Sequence, residues 1–277
     1  MHAVESAGGA DARVVVVPEL SGHLALYALA PPHARRAKTL GSALAAAAVR
    51  RPLDILRGVA TTRLLDARHT VLAALAPDGE RWWKSVFAPL ARRLDAYLVA
   101  GSHLRLAAEG SLTNASLLFG PDGRLLATTD KVNLVPGVED GAPGALALAR
   151  GEHVPIVETP LGRIATLVGY DAFRAPHTEH ERFVALAPQL AHAGGVAIVA
   201  NPAAQRLPAP GPWQGLGTSL DETPFARHAI TAHLVGSVLD LAFAGTSEIL
   251  ERTEEGIHVL ARAERGGHVA GLVSCYG

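Results

Sequence analysis

Cysteine is nearly absent from this sequence: Cys275 is the single example in 277 residues. One thiol excludes an internal disulfide and a cysteine-built metal site, and it suits a reducing, cytoplasmic setting. Lysine is almost as scarce, with only Lys38, Lys84 and Lys131 among 25 basic residues, so arginine meets most of the need for positive charge. An excess of either charge is missing too. The 25 basic and 26 acidic residues leave a net −1, so no global field would draw the chain to nucleic acid or an anionic membrane. The most apolar helical stretch, Leu40 to Val49, ends at Arg50, Arg51 and Pro52, far short of the ~20 residues of a membrane span. The opening MHAVESAGGADAR has no basic start followed by an apolar core, so it does not read as a secretory signal. These exclusions leave a small molecule as the expected partner.

The apolar content of 49% and charged content of 18% are ordinary for a folded protein. The length is within reach of one large sandwich or barrel domain spanning 1–277. Strands are expected at Arg13–Val17, Tyr97–Ser102, Ala115–Phe119, Arg163–Val168 and Val196–Ala200, with a further cluster from Leu234 to Val273. Several are almost wholly apolar, which suits strands covered on both faces. Helices are expected at Ala43–Val49, Leu53–Ala76, Glu80–Leu94, Thr178–Ala193 and Ser219–Ala232, the third placing Trp83, Phe87, Leu90 and Leu94 on one face. Phe119-Gly-Pro-Asp-Gly-Arg124 reads as a hairpin turn, because Asp-Gly tolerates positive φ.

Two segments stand apart. Residues 33–69 hold eight Lys or Arg against Asp54 and Asp66, which suits a solvated helical insertion more than a membrane-surface or anionic-partner site. Asn201–Trp213 contains four prolines and reads as a stiff loop leaving a strand end.

Candidate chemistry gathers at three strand ends. Val14–Val17 runs into Pro18 and then Glu19, a turn residue or a positioned carboxylate. Asp130-Lys131-Val132-Asn133 follows the hairpin, with Glu139 eight residues beyond the lysine. The Lys131 ammonium suits an oxyanion stabiliser or, equally, an ion pair with Asp130 or Glu139. The third piece is a turn and buried strand, Thr159 to Val168, leading into Gly169-Tyr170-Asp171.

In this order the pieces resemble the carbon–nitrogen hydrolase, or nitrilase, superfamily. The resemblance extends to Leu112-Thr-Asn114-Ala-Ser116, Pro121-Asp-Gly123, Ala200-Asn-Pro202, Trp213, Ala226-Arg227-His-Ala229 and Gly245-Thr-Ser247. It implies an α-β-β-α sandwich, a homodimer with helices packed across a two-fold, no cofactor or metal, and a small amide, nitrile or acid-like ligand. It assigns Glu19 as general base, Lys131 as oxyanion stabiliser and Glu139 as the second acid that orients the site. Asn114, Tyr170 and Trp213 become pocket candidates, with core packing the competing role for the two aromatics. The family's nucleophilic cysteine falls at Gly169.

In the family scheme a thiolate attacks the amide or nitrile carbon while lysine and a backbone N–H stabilise the anion. Glycine cannot start that sequence. The expectation is therefore a protein of this superfamily without standard thiol hydrolysis, a pseudoenzyme that binds a small ligand. The alternatives are an amidase using water activated by Glu19, with Lys131 on the oxyanion, and an interaction module built on the basic insertion. Two further departures are expected: the family's first strand is lacking before Val14, and the 112 positions from Glu19 to Lys131 contain segment 33–69, which would cap the pocket. Pro176-His177-Thr-Glu179-His180-Glu181 suits a polar helix start better than a metal site. Arg174 and Arg182 suit ion pairs better than substrate contacts.

Overall fold

Extended apolar segments separated by helices build two facing sheets in the computed structural model, which describes residues 13–23, 26, 36–49, 67–142, 145–207 and 214–263. The first strands are β1 (Val14–Val16), β2 (Tyr97–Val99), β3 (His103–Leu106), β4 (Leu112–Phe119) and β5 (Leu125–Asp130). Next come β6 (Ile156–Thr159), β7 (Gly162–Thr166), β8 (Val196–Ala203) and β9 (Gln205–Leu207). The last are β10 (Ala226–His233), β11 (Gly236–Val238), β12 (Leu241–Ala244), β13 (Glu248–Thr253) and β14 (Gly256–Arg262). The helices are α1 (Leu40–Val49), α2 (Ala67–Leu94), α3 (Leu186–His192) and α4 (Gly215–Glu222).

One sheet runs β1-β2-β4-β3, with β5 also paired to β4; the other runs β14-β13-β10-β8-β7-β6. Strands β9, β11 and β12 form a small third sheet. The large sheets meet face to face where Tyr97, Val99 and Leu118 pack against Ile164, Ile198 and Ala200. On the outer side of the first, α2 buries Trp83, Phe87, Leu90 and Ala91 against Leu98, Leu117 and Phe119, at the spacing of one helical face. Helices α3 and α4 press Leu186, Leu190, Leu216 and Leu220 onto Ala165, Leu167, Val199 and Ala229 of the second sheet. The architecture is thus an α-β-β-α sandwich.

Several sequence expectations need correction. The two helices expected on either side of Pro77-Asp-Gly79 are, from Ala67 onward, one continuous helix that passes through both Pro77 and Pro89. Tertiary packing outweighs the proline penalty there: Leu72 and Ala76 pack with Leu26, whose side chain occupies the space a Cβ on Gly79 would need. Helix α3 starts at Leu186 rather than Thr178. Asn133 pulls the preceding chain out of helical geometry by exchanging hydrogen bonds with the Val184 amide (2.8 Å) and carbonyl (2.9 Å). The helix expected over Ser219–Ala232 stops at Glu222, before Thr223-Pro224. Ala226–His233 is instead a central strand, parallel to β8 and antiparallel to β13, because pairing decides a period that alanine leaves ambiguous. Asn201–Ala203 complete β8 and Gln205–Leu207 form β9. Strand β1 is half-buried, at the edge of the described sheet, rather than covered on both faces. Helix α1 carries none of the charges of segment 33–69, most of which lie, with Trp213 and Cys275, outside the described residues.

The hairpin forms as expected between β4 and β5. Gly123 stands at φ 77°, and a Cβ there would lie 2.6 Å from the Ala88 carbonyl oxygen of α2. Gly123→Ala is expected to lower stability by at least about 1–2 kcal/mol, the cost of a left-handed L-residue, with the backbone overlap adding to it. The urea unfolding midpoint measures the loss.

Candidate functional site

Glu19 is aimed inward by a strained turn. Leu20, beside it, has φ 62°, a left-handed conformation costing a leucine roughly 1–2 kcal/mol. The turn is clamped to the segment after β2: the Leu20 amide donates to Ser102 Oγ (3.0 Å) and the Gly22 amide to the Ser102 carbonyl (2.8 Å). Gly101, at φ 55°, lets this segment approach, since a Cβ there would lie 2.3 Å from the Pro18 carbonyl oxygen.

Lys131 follows β5, its amide donating to the Asn114 carbonyl at 2.8 Å. Its ammonium is 1% exposed and stands 2.8 Å from both Glu19 Oε1 and Glu139 Oε2. Asn114, fully buried in β4, donates from Nδ2 to Glu19 Oε1 (3.1 Å) and Glu139 Oε1 (2.9 Å). The Val135 amide adds a bond to Glu139 Oε2 at 2.9 Å. Four residues from distant parts of the chain thus form one closed polar cluster.

Their protonation follows from that geometry. Burial opposes charge on all three ionisable groups, but the two carboxylates hold Lys131 above the usual lysine range. Burial also pushes Glu139 up, and Lys131, Val135 and Asn114 outweigh it, so this carboxyl sits below its ordinary value. Glu19 comes out above its ordinary value, because burial and the neighbouring Glu139 together exceed the pull of Lys131 and Asn114. Glu139 is therefore the firm anion and Glu19 the more basic carboxylate. His23 is pushed down to about 4, mainly by burial, so it stays neutral near this cluster.

Gly169 ends the run from β7 and opens a short 3₁₀ turn, Gly169–Ala172. Its φ is 53°, and a Cβ on it would lie 2.3 Å from Glu19 Oε2. The carboxylate thus approaches the place where a side chain at 169 would begin. Asp171, two residues on, is 1% exposed and accepts from the amides of Val132 (3.1 Å), Asn133 (2.6 Å) and Val168 (3.3 Å). It ties the loop carrying Lys131 to the turn carrying Gly169. The sequence by itself assigns no role to Asp171, and nothing local in it points to Ser102.

Of the other candidates, Tyr170 is buried, its ring packed among Phe173, His177 and Phe183. Its hydroxyl donates to Glu181 and accepts from the His177 amide, so packing and loop anchoring occupy it. Burial, then Glu181, raises its pKa. Arg174 pairs with Glu222 at the surface. Among the described residues no group of three or more His, Cys, Asp or Glu is placed to share a metal ion. Two surface cavities, of about 420 and 450 Å³, are lined by other residues.

Lys131→Met leaves two buried carboxylates without their cation and is expected to cost about 3–5 kcal/mol in urea unfolding. Glu19→Gln added to it should recover part of that loss. Asp171 supplies a test by pH. Burial, against the three backbone donors, pushes its carboxyl from 3.8 up to about 7. The folded chain then holds a proton that the unfolded chain releases, so its contribution is complete below pH 3.8 and lost as pH rises through about 7. The stability difference between the parent and Asp171→Asn should accordingly shift against the parent between pH 4 and pH 7; a pH-independent difference would contradict the assignment.

Among solved structures, a carbon–nitrogen hydrolase from Helicobacter pylori G27 matches with a TM-score of 0.58 at 15% identity, over 93% of this chain and 75% of that one. A variant of the amidase from Nesterenkonia sp. AN1, showing the acetamide moiety of fluoroacetamide added covalently at its active-site cysteine, matches with 0.55 at 19%, over 94% and 90%. Nit3 of Saccharomyces cerevisiae, a nitrilase-superfamily member, matches with 0.53 at 20%, and this chain spans 63% of its length. A search of curated protein sequences finds no match. Residues 1–175 match the carbon–nitrogen hydrolase family, and with the sandwich and its cluster of strand-end residues on view, the chain belongs to that family.

Proposed function

We propose that this protein keeps the ionic frame of a carbon–nitrogen hydrolase but not its thiol chemistry, and that it binds a small amide- or acid-like ligand. The observation that carries the reading is Gly169: it stands against the Glu19 carboxylate and has no side-chain atom to add to a carbonyl carbon. In the Nesterenkonia amidase the acetamide moiety is attached to a cysteine; in this chain the corresponding position is taken to be Gly169. Glu19 then has no thiol to deprotonate, and Lys131 no acyl-enzyme oxyanion to stabilise. By analogy with a serine protease stripped of its nucleophile, the loss is on the order of 10⁶ in kcat. Glu19, Lys131, Glu139 and Asn114 remain as the polar floor of a binding site. A homodimer is proposed with it on the family resemblance alone, and a cytoplasmic setting on the single cysteine and the absence of a signal-like start.

One feature favours a second reading, in which Glu19 activates water directly: its pKa is raised and its Oε2 faces Gly169. Ammonia release from short aliphatic amides and nitriles separates the two, with the parent compared with Glu19→Gln and Gly169→Cys. The parent is expected at the buffer rate. Gly169→Cys is expected to gain little, because its Cβ would overlap Glu19 Oε2 at 2.3 Å in a left-handed conformation. Parent turnover that disappears in Glu19→Gln would replace the ligand-binding reading with the water mechanism.

A further inference from the structure

The charge and hydrogen-bond inventory around Gly169 is unbalanced in one direction. Glu19, Glu139 and Lys131 are 2%, 4% and 1% exposed, and with both acids ionised two carboxylates face one ammonium. Glu139 is satisfied on both oxygens, by Lys131 and Val135 on Oε2 and by Asn114 on Oε1. The hydrogen bonds to Glu19 from Lys131 and Asn114 both fall on Oε1, while Oε2 faces Gly169. The surplus negative charge therefore belongs to Glu19, on the side of the turn.

Two amide oxygens point to the same shortage of donors. Asn114 gives both of its observed bonds from Nδ2 to the carboxylates, and its buried Oδ1 accepts nothing among the described residues. Asn201, fully buried at the end of β8, donates from Nδ2 to the carbonyls of Leu167 (2.7 Å) and Gly169 (3.5 Å), and its Oδ1 is likewise without a donor. A buried acceptor left unpaired costs about 1–3 kcal/mol, which a ligand bringing N–H groups would relieve. Neither asparagine oxygen has any use for a carboxylate, and a second anion beside Glu19 adds repulsion in a poorly screened site.

We infer that the site selects a nitrogen cation, an ammonium or amidinium group on a small molecule, over the corresponding neutral amide, and rejects the corresponding carboxylate. Glu19 Oε2 takes the charge, and Asn201, whose amide reaches the Gly169 carbonyl at 3.5 Å, offers its free oxygen to a remaining N–H group. This rests on the ligand-binding reading above and narrows it, removing acids from the ligand class.

Acetamidinium, acetamide and acetate share one planar shape and differ in charge and N–H count, so they isolate the preference. Calorimetric titration of the full chain at constant ionic strength is expected to rank them in that order. Acetamidinium should bind about tenfold or more tighter than acetamide, the factor one charge-assisted hydrogen bond supplies, and acetate should not bind. Glu19→Gln should remove most of the amidinium advantage. Should that variant fail to fold, the ranking on the parent decides alone. Acetate or acetamide binding as tightly as acetamidinium would overturn the cation preference and leave the ligand-binding reading standing. No binding of any of the three would overturn both.

Discussion

A lysine ammonium buried between two carboxylates is the interaction on which the rest of the candidate site depends. At 1% exposure Lys131 has given up almost all its hydration, a penalty of several kcal/mol that only close and well-directed anions offset. Glu19 and Glu139 supply them at 2.8 Å each. Neither is a sequence neighbour: one lies in the turn after β1, and the other in the loop that follows the lysine. The cluster therefore forms only when the β1 turn, the β4–β5 hairpin and that loop have all reached their places. Asn114 extends the condition to the middle of β4. A partly assembled set would leave a buried charge unpaired, so the segments are held together as a group.

The second sheet enters through Asp171. Glu19, Asn114 and Lys131 come from the first sheet or its ends, whereas Gly169 leaves β7 of the second. Apolar contact between the sheets brings them face to face but does not fix one turn against another to within an ångström. The Asp171 carboxylate does so with directional bonds, accepting from Val132 and Asn133 on one side and Val168 on the other. Leu20 has a comparable position on the opposite flank, its strain carried by Ser102. Strain of this kind persists where surrounding bonds over-determine the backbone.

These two supports mark the boundary of what the sequence made legible. Glu19, Lys131 and Gly169 are legible because each follows a strand in a recognisable order, with Glu139 in the loop after the lysine, and the structure brings all four together. The sandwich was legible from the same order. Asp171 and Ser102 act through backbone amides far away in sequence, and a hydrogen bond to an amide leaves no trace in residue identity. The errors in secondary structure have the same origin. Ala226–His233 carries a pattern that helix and strand both accept, and only pairing with β8 and β13 selects the strand. Thr178–Val184 has helical composition, but Asn133, from another element, competes for its backbone.

Gly169 bears on strain in the site in a way that the charges around it do not. A side chain at φ 53° carries the strain of a left-handed residue, and glycine does not. The Cβ position lies so close to Glu19 Oε2 that the carboxylate and a side chain at 169 compete for one space. Glycine thus relieves strain and leaves Glu19 in its bonded position against Lys131 and Asn114. The ionic cluster behaves in the opposite way, because loss of any one partner strands the others in a buried environment. Energetically, position 169 is the part of the cluster where a side chain can be absent at little cost. The charged frame cannot be dismantled one residue at a time without penalty. An intact frame is therefore what the fold's internal electrostatics require, with or without catalysis.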